Sequence, residues 1–570
     1  MSEKEILKTI IHFYNEFNNL NKYLSYRDLI KIKDKYYNLY KNISNNIFYK
    51  IKYIKFIHDY KHVDKMKKYQ NNKYIGYELD NNKYLLDDIN GHSLDYNQRV
   101  AVITNEDNNL VIAGAGSGKT LTIIGKIRYL IERQNVKEDE ILCISFTNDS
   151  VNDIKKALSK NYNYNVPVFT FHKLALNILK DVYNDNLKIA NDYFLDYIID
   201  EYIRCNFPNN IILEKPNYNI FIRFKLLIST FINLFKSSNF DISDFEEFYN
   251  KNQKEKNKNI RWKNNVLLTL IKEIYMTYSE ELKSQNMIDF NDMINLGAEN
   301  ISSNTKYKYI IIDEYQDTSL TRYRLIKKLK DVCNAKIMAV GDDFQSIYRF
   351  TGCNLSIFLN FEEYFGKSSI LKIENTYRNS KELVDSAGTF IMKNKYQMKK
   401  ILKSNTKLNK PIKIVYYNDL VKTFESIIKN INTDIFVLGR NNKDINPILK
   451  SEKFNMLENK ITYESDPDKN IRFLTVHRSK GLEASNVIIL NMLDDYLGFP
   501  SKITSDSILR FVTNDKDLYP YEEERRLFYV ALTRTKNNVY ILTRKKKESI
   551  FVKEIINNSR KNIQIINELI

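Results

Sequence analysis

Ala113-Gly114-Ala115-Gly116-Ser117-Gly118-Lys119-Thr120 follows directly on the apolar run Leu110-Val111-Ile112. No other stretch of the chain restricts its fold so tightly. A strand, a glycine-rich turn and a helix must follow one another in that order, with the helix predicted from Leu121 to about Arg133. The turn lets backbone N–H groups approach a triphosphate without Cβ interference. Lys119 then reaches the β- and γ-phosphates, the Thr120 hydroxyl ligates Mg²⁺, and the helix N-terminus directs its positive dipole at the same anion. The run departs from G-x-x-x-x-G-K-[ST] only at its first position, Ala113. Residues 113–120 are therefore predicted to bind a nucleoside triphosphate with Mg²⁺.

From Asp95 onward, short apolar runs alternate with helix-like stretches: Leu110–Ala113, Ile141–Phe146, Tyr309–Ile312, Lys336–Val340, Ile435–Leu438, Arg472–Val476, Val487–Leu490 and Val539–Leu542. Buried parallel strands read this way, which gives an α/β fold class. Two stretches interrupt the alternation. Residues 173–285 are long, helical in pattern and aromatic-rich, and within them the basic Asn250–Asn265 segment is expected as an exposed loop. Residues 441–470 are short and polar, and hold Pro447 and Pro467.

The chain has 88 Lys plus Arg against 70 Asp plus Glu, a formal net charge of +18. Such a balance fits a nucleic-acid binder, although the joint excess of Lys, Asn, Ile and Tyr is also what an AT-biased genome produces. Residues 1 to about 88 lack the nucleotide chemistry and read as a basic helical appendage. Its charges form either a solvated face or a surface for nucleic acid or a partner. Four scattered cysteines without a C-x-x-C pair argue against a zinc ribbon, an iron–sulfur cluster or a disulfide framework. With no signal-like start and no apolar run near a membrane span, the expectation is a cytoplasmic protein without membrane contact.

Tyr309-Ile310-Ile311-Ile312 ends in Asp313-Glu314. Ligands of open α/β sheets collect at the carboxyl ends of strands, so both acids are expected to face the phosphates. Asp313 is placed to hold Mg²⁺ and Glu314 to orient and deprotonate the attacking water.

Ile311-Ile312-Asp313-Glu314-Tyr315-Gln316-Asp317-Thr318 resembles motif II of the UvrD/Rep family of superfamily 1 DNA helicases, and other motifs follow in that family's order. Leu94–Arg99 resembles the Q motif, with Gln98 at the adenine edge. Phe146-Thr147-Asn148 and Thr170-Phe171-His172 resemble motifs Ia and Ib. Val340–Phe350 resembles motif III, with Gln345 placed to sense the γ-phosphate. Asn375–Asn379 resembles motif IV, with Arg378 as one γ-phosphate arginine. Thr475–Glu483 resembles motif V and places Glu483 at the nucleotide. Glu522–Lys536 resembles motif VI, with Arg534 as the second arginine finger. The form of residues 87–95 and of Gly341-Asp342-Asp343-Phe344-Gln345 is similar to the helicase IV branch. Thr351 and Leu121 stand where many relatives carry basic residues.

The resemblance implies two RecA-like parallel-sheet lobes. The first comprises 89–172 and 286–352, with a helical insertion subdomain at 173–285. The second comprises 353–570, with only the short 441–470 segment in place of a large mobile subdomain. It also implies a 3′–5′ DNA helicase that uses ATP and Mg²⁺ and acts on single-stranded DNA and duplex junctions, in repair or recombination. Phe146, Thr147, Asn148, Thr170, Phe171, His172, Tyr348, Phe350, Thr475 and His477 are the expected strand contacts. For each aromatic ring, core packing is the competing expectation. A translocase that does not unwind, or an ATPase switch within a larger complex, would carry the same motifs.

Overall fold

The computed structural model describes residues 2–567 apart from 19, 184–186, 209–217, 504–505 and 514–517. Parts of the expected insertion and of the second lobe therefore lie outside the described residues. Two sheets organise the rest. The first is six-stranded and parallel, in the order Val168–Thr170, Ile141–Ser145, Tyr309–Ile312, Lys336–Gly341, Asn108–Ala113, Ser369–Ile373. Its apolar side chains enter two cores, one on each face, which is why the central strands read as unbroken hydrophobic runs. The helix after the glycine-rich turn spans Lys119–Glu132, beginning two residues earlier than expected.

The second sheet has eight strands, in the order Phe454–Leu457, Lys460–Tyr463, Asp466–Thr475, Ile435–Gly439, Ala484–Ile489, Thr535–Thr543, Ile412–Tyr416, Ile563–Asn567. The first three pair antiparallel and the rest parallel. Residues 441–470 thus contribute a hairpin to the edge of this sheet, beside the four-residue helix Asn446–Leu449.

Two expectations require correction. The first lobe does not end at residue 352, because Ser369–Ile373 pairs in parallel with the strand that precedes the glycine-rich turn. Asn250–Asn265 is not a loop either: helices Asp244–Gln253 and Lys258–Ser284 take up most of it. The lysines of that stretch lie on the outside. Inside, the buried Asn264 amide donates to the Asn252 side-chain oxygen at 3.1 Å, which satisfies two polar groups that a sequence reading assigns to solvent.

The appendage has a core of its own around Phe13, whose ring meets Tyr36 and Phe56 edge-on at 5.3 and 5.1 Å. It is not separable at residue 88. Helix Val63–Asn81 runs onto the first lobe, and Tyr74, Leu85 and Leu86 enter that lobe's core. The fully buried Glu78 accepts hydrogen bonds from Arg133 at 2.7 Å and the Tyr129 hydroxyl at 2.8 Å.

The helical insertion is joined to a distant part of the chain. Ile508, Phe511 and Val512, which precede the second-lobe helix Glu522–Leu532, are buried in its core among Phe248, Leu268 and Ile271. Ion pairs Lys263–Asp506 and Arg510–Glu255, both 2.6 Å, flank the contact. Replacing the fully buried Ile508 with Ala should lower stability by about 2–5 kcal/mol through the cavity it leaves. Urea unfolding midpoints measure this, and an unchanged midpoint would mean that the segment only rests on the surface.

Candidate active site

The strand Asn108–Ala113 is buried throughout and delivers the glycine-rich turn to the interface of the two lobes. Gly116 and Gly118 have φ of +68° and +75°, which L side chains rarely adopt. Space is short as well. A Cβ on Gly116 would lie 2.4 Å from the Arg378 Cβ, and one on Gly118 would lie 2.7 Å from the Gln98 amide nitrogen. That nitrogen donates to the Ser117 carbonyl at 3.0 Å, while the Gln98 oxygen accepts from the Asp95 N–H at 2.8 Å. Gln98 therefore braces the turn as well as lining the cavity beside it.

This cavity measures about 660 Å³ and draws its walls from both lobes: Gly114–Thr120, Asp313, Glu314, Gln345, Tyr377, Arg378 and Arg534. Tyr377, which the sequence did not single out, is 60% exposed there.

Glu314 sits at φ +49°, and this turns its carboxylate toward Lys119 at 2.6 Å. Its other oxygen accepts from the Gln316 amide at 2.5 Å. Burial works against the charge of both adjacent acids, with opposite outcomes. For Glu314, Lys119 and Lys480 outweigh burial and hold its pKa below the usual carboxylate range. For Asp313, burial and the charge of Glu314 push the pKa up. Two neighbouring carboxyls with divergent titration suit an ionised base beside a group awaiting a cation. The oxygen-only donors Thr120 and Asp313 fit a hard divalent cation such as Mg²⁺, and these two residues would hold it.

The arginines enter from different places. Arg534 follows the helix Glu522–Leu532 of the second lobe and is 1% exposed. Its guanidinium donates to the carbonyls of Val530 and Leu482 and, across the lobe interface, to the Gln345 side-chain oxygen at 3.0 Å. Burial and the neighbouring Arg378 both press against its charged form. Arg378 does not lie wholly on the second lobe. The Thr376 hydroxyl donates to the Ala115 carbonyl at 2.8 Å and the Tyr377 N–H to the Gly116 carbonyl at 2.9 Å, whereas the Asn379 amide donates to the Thr535 carbonyl at 2.6 Å. Arg378 thus occupies the crossing point between lobes, its side chain paired with Glu483 at 2.7 Å. Glu483 is shared with Lys536 at 2.8 Å. Lys480 adds a second bridge, from Asp317 to the Gln345 carbonyl.

Four of the expected strand contacts, Phe146, Tyr348, Phe350 and His477, touch one another in series across the same interface. Phe146 and Tyr348 stack with centroids 5.8 Å apart, and the Tyr348 hydroxyl donates to the His477 carbonyl at 3.0 Å. Phe350 meets the His477 ring edge-on at 5.5 Å and is 57% exposed. Arg322 lies over the Phe146 ring at 4.5 Å. His172 packs edge-on against Phe290. Burial lowers the pKa of His172 and His477 to about 4, so both are neutral at pH 7. Thr147 caps helix Asn148–Tyr162, Thr170 accepts from the Lys173 N–H, and Thr475 accepts from the Arg478 N–H. Asn148 is exposed beside them. Phe171 is the correction: it is 3% exposed in the first-lobe core and offers no ring face to a base in this conformation.

Residues 94–366 match the UvrD/REP helicase N-terminal domain, and residues 441–546 match the UvrD-like helicase C-terminal domain. The chain belongs to the UvrD/Rep helicase family. It is 30% identical over 366 residues to the ATP-dependent DNA helicase Rep of Buchnera aphidicola subsp. Schizaphis graminum, covering 60% of this chain and 51% of that protein. DNA helicase IV of Escherichia coli K12 is 26% identical over 495 residues, 81% of this chain and 69% of that protein. The ATP-dependent DNA helicase PcrA of Leuconostoc citreum is 27% identical over 349 residues, 59% and 44% of the respective chains. The chain spans about half the length of the Buchnera relatives it matches. The N-terminal UvrD/Rep match runs past residue 352, in keeping with the strand order of the first sheet.

Gly116→Ala tests the turn. The forced contact with Arg378 and the strained φ should weaken binding of a fluorescent ATP analogue about tenfold or more. Unchanged affinity would mean that the nucleotide does not use this loop.

Proposed function

We propose that this chain is an ATP-dependent DNA motor that moves 3′–5′ along single-stranded DNA and unwinds duplexes from a single-strand junction, in the setting of DNA repair or recombination. The observation that carries the reading is the shared interface: the lobes that build the nucleotide cavity also align Phe146, Tyr348, Phe350 and His477.

In this reading ATP lies along the 113–120 turn, where phosphate oxygens take over Lys119 from Glu314. Thr120 and Asp313 would hold Mg²⁺, which would supply charge neutralisation at the phosphates. Glu314, freed from Lys119, orients water for in-line attack on the γ-phosphorus and accepts its proton. Arg378 and Arg534 stabilise the charge that develops on the transferred phosphoryl group, an effect worth roughly 10³–10⁵ in rate for a cationic finger. Because Arg534 belongs to the second lobe, turnover requires the lobes to close, and release of phosphate and ADP lets them part. A base stack gripped on both sides of the interface is displaced by each such cycle.

Hydrolysis and unwinding should be lost in Lys119→Ala and Glu314→Gln, and turnover should collapse with nucleotide binding retained in Arg378→Ala and Arg534→Ala. Wild-type turnover in any of these would remove the assignment. Polarity is read from duplexes with 3′ or 5′ single-stranded tails: the 3′-tailed substrate should be unwound, and preference for the 5′ tail would reverse the direction. Displacement of a strand-blocking protein without unwinding would mark a translocase instead. Phe350→Ala should weaken single-strand affinity by about 1–3 kcal/mol with its melting temperature unchanged, because the ring is exposed. Retained affinity would exclude it from the strand path.

A further inference from the structure

Asp342 and Asp343 are consecutive, both are fully buried, and they lie just before Gln345. Two carboxylates cannot ionise side by side in such a site without a cation. The cation is Lys400, which no sequence motif singled out. Its ammonium pairs with Asp342 and, at 2.7 Å, with Asp343, and it lies 3.7 Å from the centroid of the adjacent Phe344 ring. Burial opposes the charge on Lys400, and the two carboxylates outweigh it.

Lys400 is carried by a segment that touches each part of the site. Lys403 donates its N–H to the Glu374 carbonyl at 2.7 Å, continuing the pairing at the edge of the first sheet. Leu402 lies directly over Gly114 of the phosphate-binding turn. Met398 donates its N–H to the second oxygen of Asp343 at 2.9 Å. The chain then enters the second lobe at Ile412–Tyr416.

What this ion triad controls is the direction of one amide. Asp342 accepts a hydrogen bond from the Gln345 Nε2 at 2.6 Å, which leaves the Gln345 Oε1 as acceptor for the Arg534 guanidinium at 3.0 Å. A guanidinium has only donors. If Asp342 took up a proton on the oxygen facing Gln345, it would become a donor there. The amide would then turn over and present its NH₂ to Arg534, where no hydrogen bond can form. We propose that Lys400 is a positioning residue for ATP hydrolysis, which keeps Asp342 an obligate acceptor and so holds Gln345 in the one orientation that fixes Arg534.

The inference rests on the ATPase reading above, and the experiment separates the two. DNA-stimulated turnover is measured in the full chain for wild type, Lys119→Ala, Lys400→Met, Asp343→Asn and Lys400→Met/Asp343→Asn, each normalised to the sites that bind an ATP analogue. Loss of turnover in Lys119→Ala secures the ATPase assignment independently of Lys400. Lys400→Met should lower kcat about 100-fold, the cost of a misplaced catalytic group, with the ATP KM within threefold. Its remaining activity should fall further as pH drops, because the two adjacent buried carboxyls, left without their cation, take up a proton between them. The double variant buries one carboxylate fewer and should recover at least tenfold of the lost kcat. Should Lys400→Met fail to fold, the double variant compared with Asp343→Asn keeps the test: kcat should be lower without the lysine, and the difference should widen toward acid pH. An unchanged kcat per binding site in Lys400→Met would overturn the proposal. So would a double variant no faster than the single one, or a difference that is flat with pH.

Discussion

One hydrogen bond between lobes organises this molecule: the Arg534 guanidinium donating to the Gln345 side chain. It closes a relay that begins at Lys119 of the glycine-rich turn. Lys119 holds one oxygen of Glu314 and Gln316 holds the other; the Gln316 oxygen accepts the Asp342 N–H at 2.9 Å, and Asp342 holds Gln345. Each link is buried or half-buried. Such a chain is strong while complete, and costly when one member turns. The chain of contacts thus runs without a break from Lys119 to an arginine on the other lobe.

The remaining architecture keeps this relay in register. The polypeptide crosses between lobes at residues 376–379, held by Ala115 and Gly116 on one side and Thr535 on the other. Lys480 and Tyr348 make parallel connections beside the aromatic row of Phe146, Tyr348 and Phe350. On the far side, Ile508 and Phe511 join the helical insertion to the chain that leads into the Arg534 helix. The insertion is therefore linked to Arg534 by packing, and not only through the first lobe that carries it.

Much of this was legible in the sequence because local chemistry declared it. The glycine-rich turn, Asp313-Glu314 and the buried parallel strands each follow from short-range pattern, and the ordered motifs placed the second-lobe groups. What stayed hidden depends on distant partners. Ser369–Lys372 alternates half-buried and exposed side chains at a sheet edge, and only Ile373 is buried, so the strand lacks the apolar run of a central one. Lys400 is one lysine among many until the fold sets it between two buried aspartates. Phe171 sits within a strand-contact motif, yet the helix it begins turns it into the core. The Asn252–Asn264 pair made two helices resemble a polar loop.

The most direct test of the central claim is thermodynamic coupling between the two sites. Affinity for a single-stranded oligonucleotide is measured with and without a non-hydrolysable ATP analogue, in wild type and in Gln345→Ala. Coupling free energies of this kind typically change affinity by about 5–150-fold, and nucleotide and strand must affect each other equally. The relay predicts such a factor in wild type and a factor near one in Gln345→Ala, with each ligand still bound alone. Coupling that survives in Gln345→Ala would contradict it.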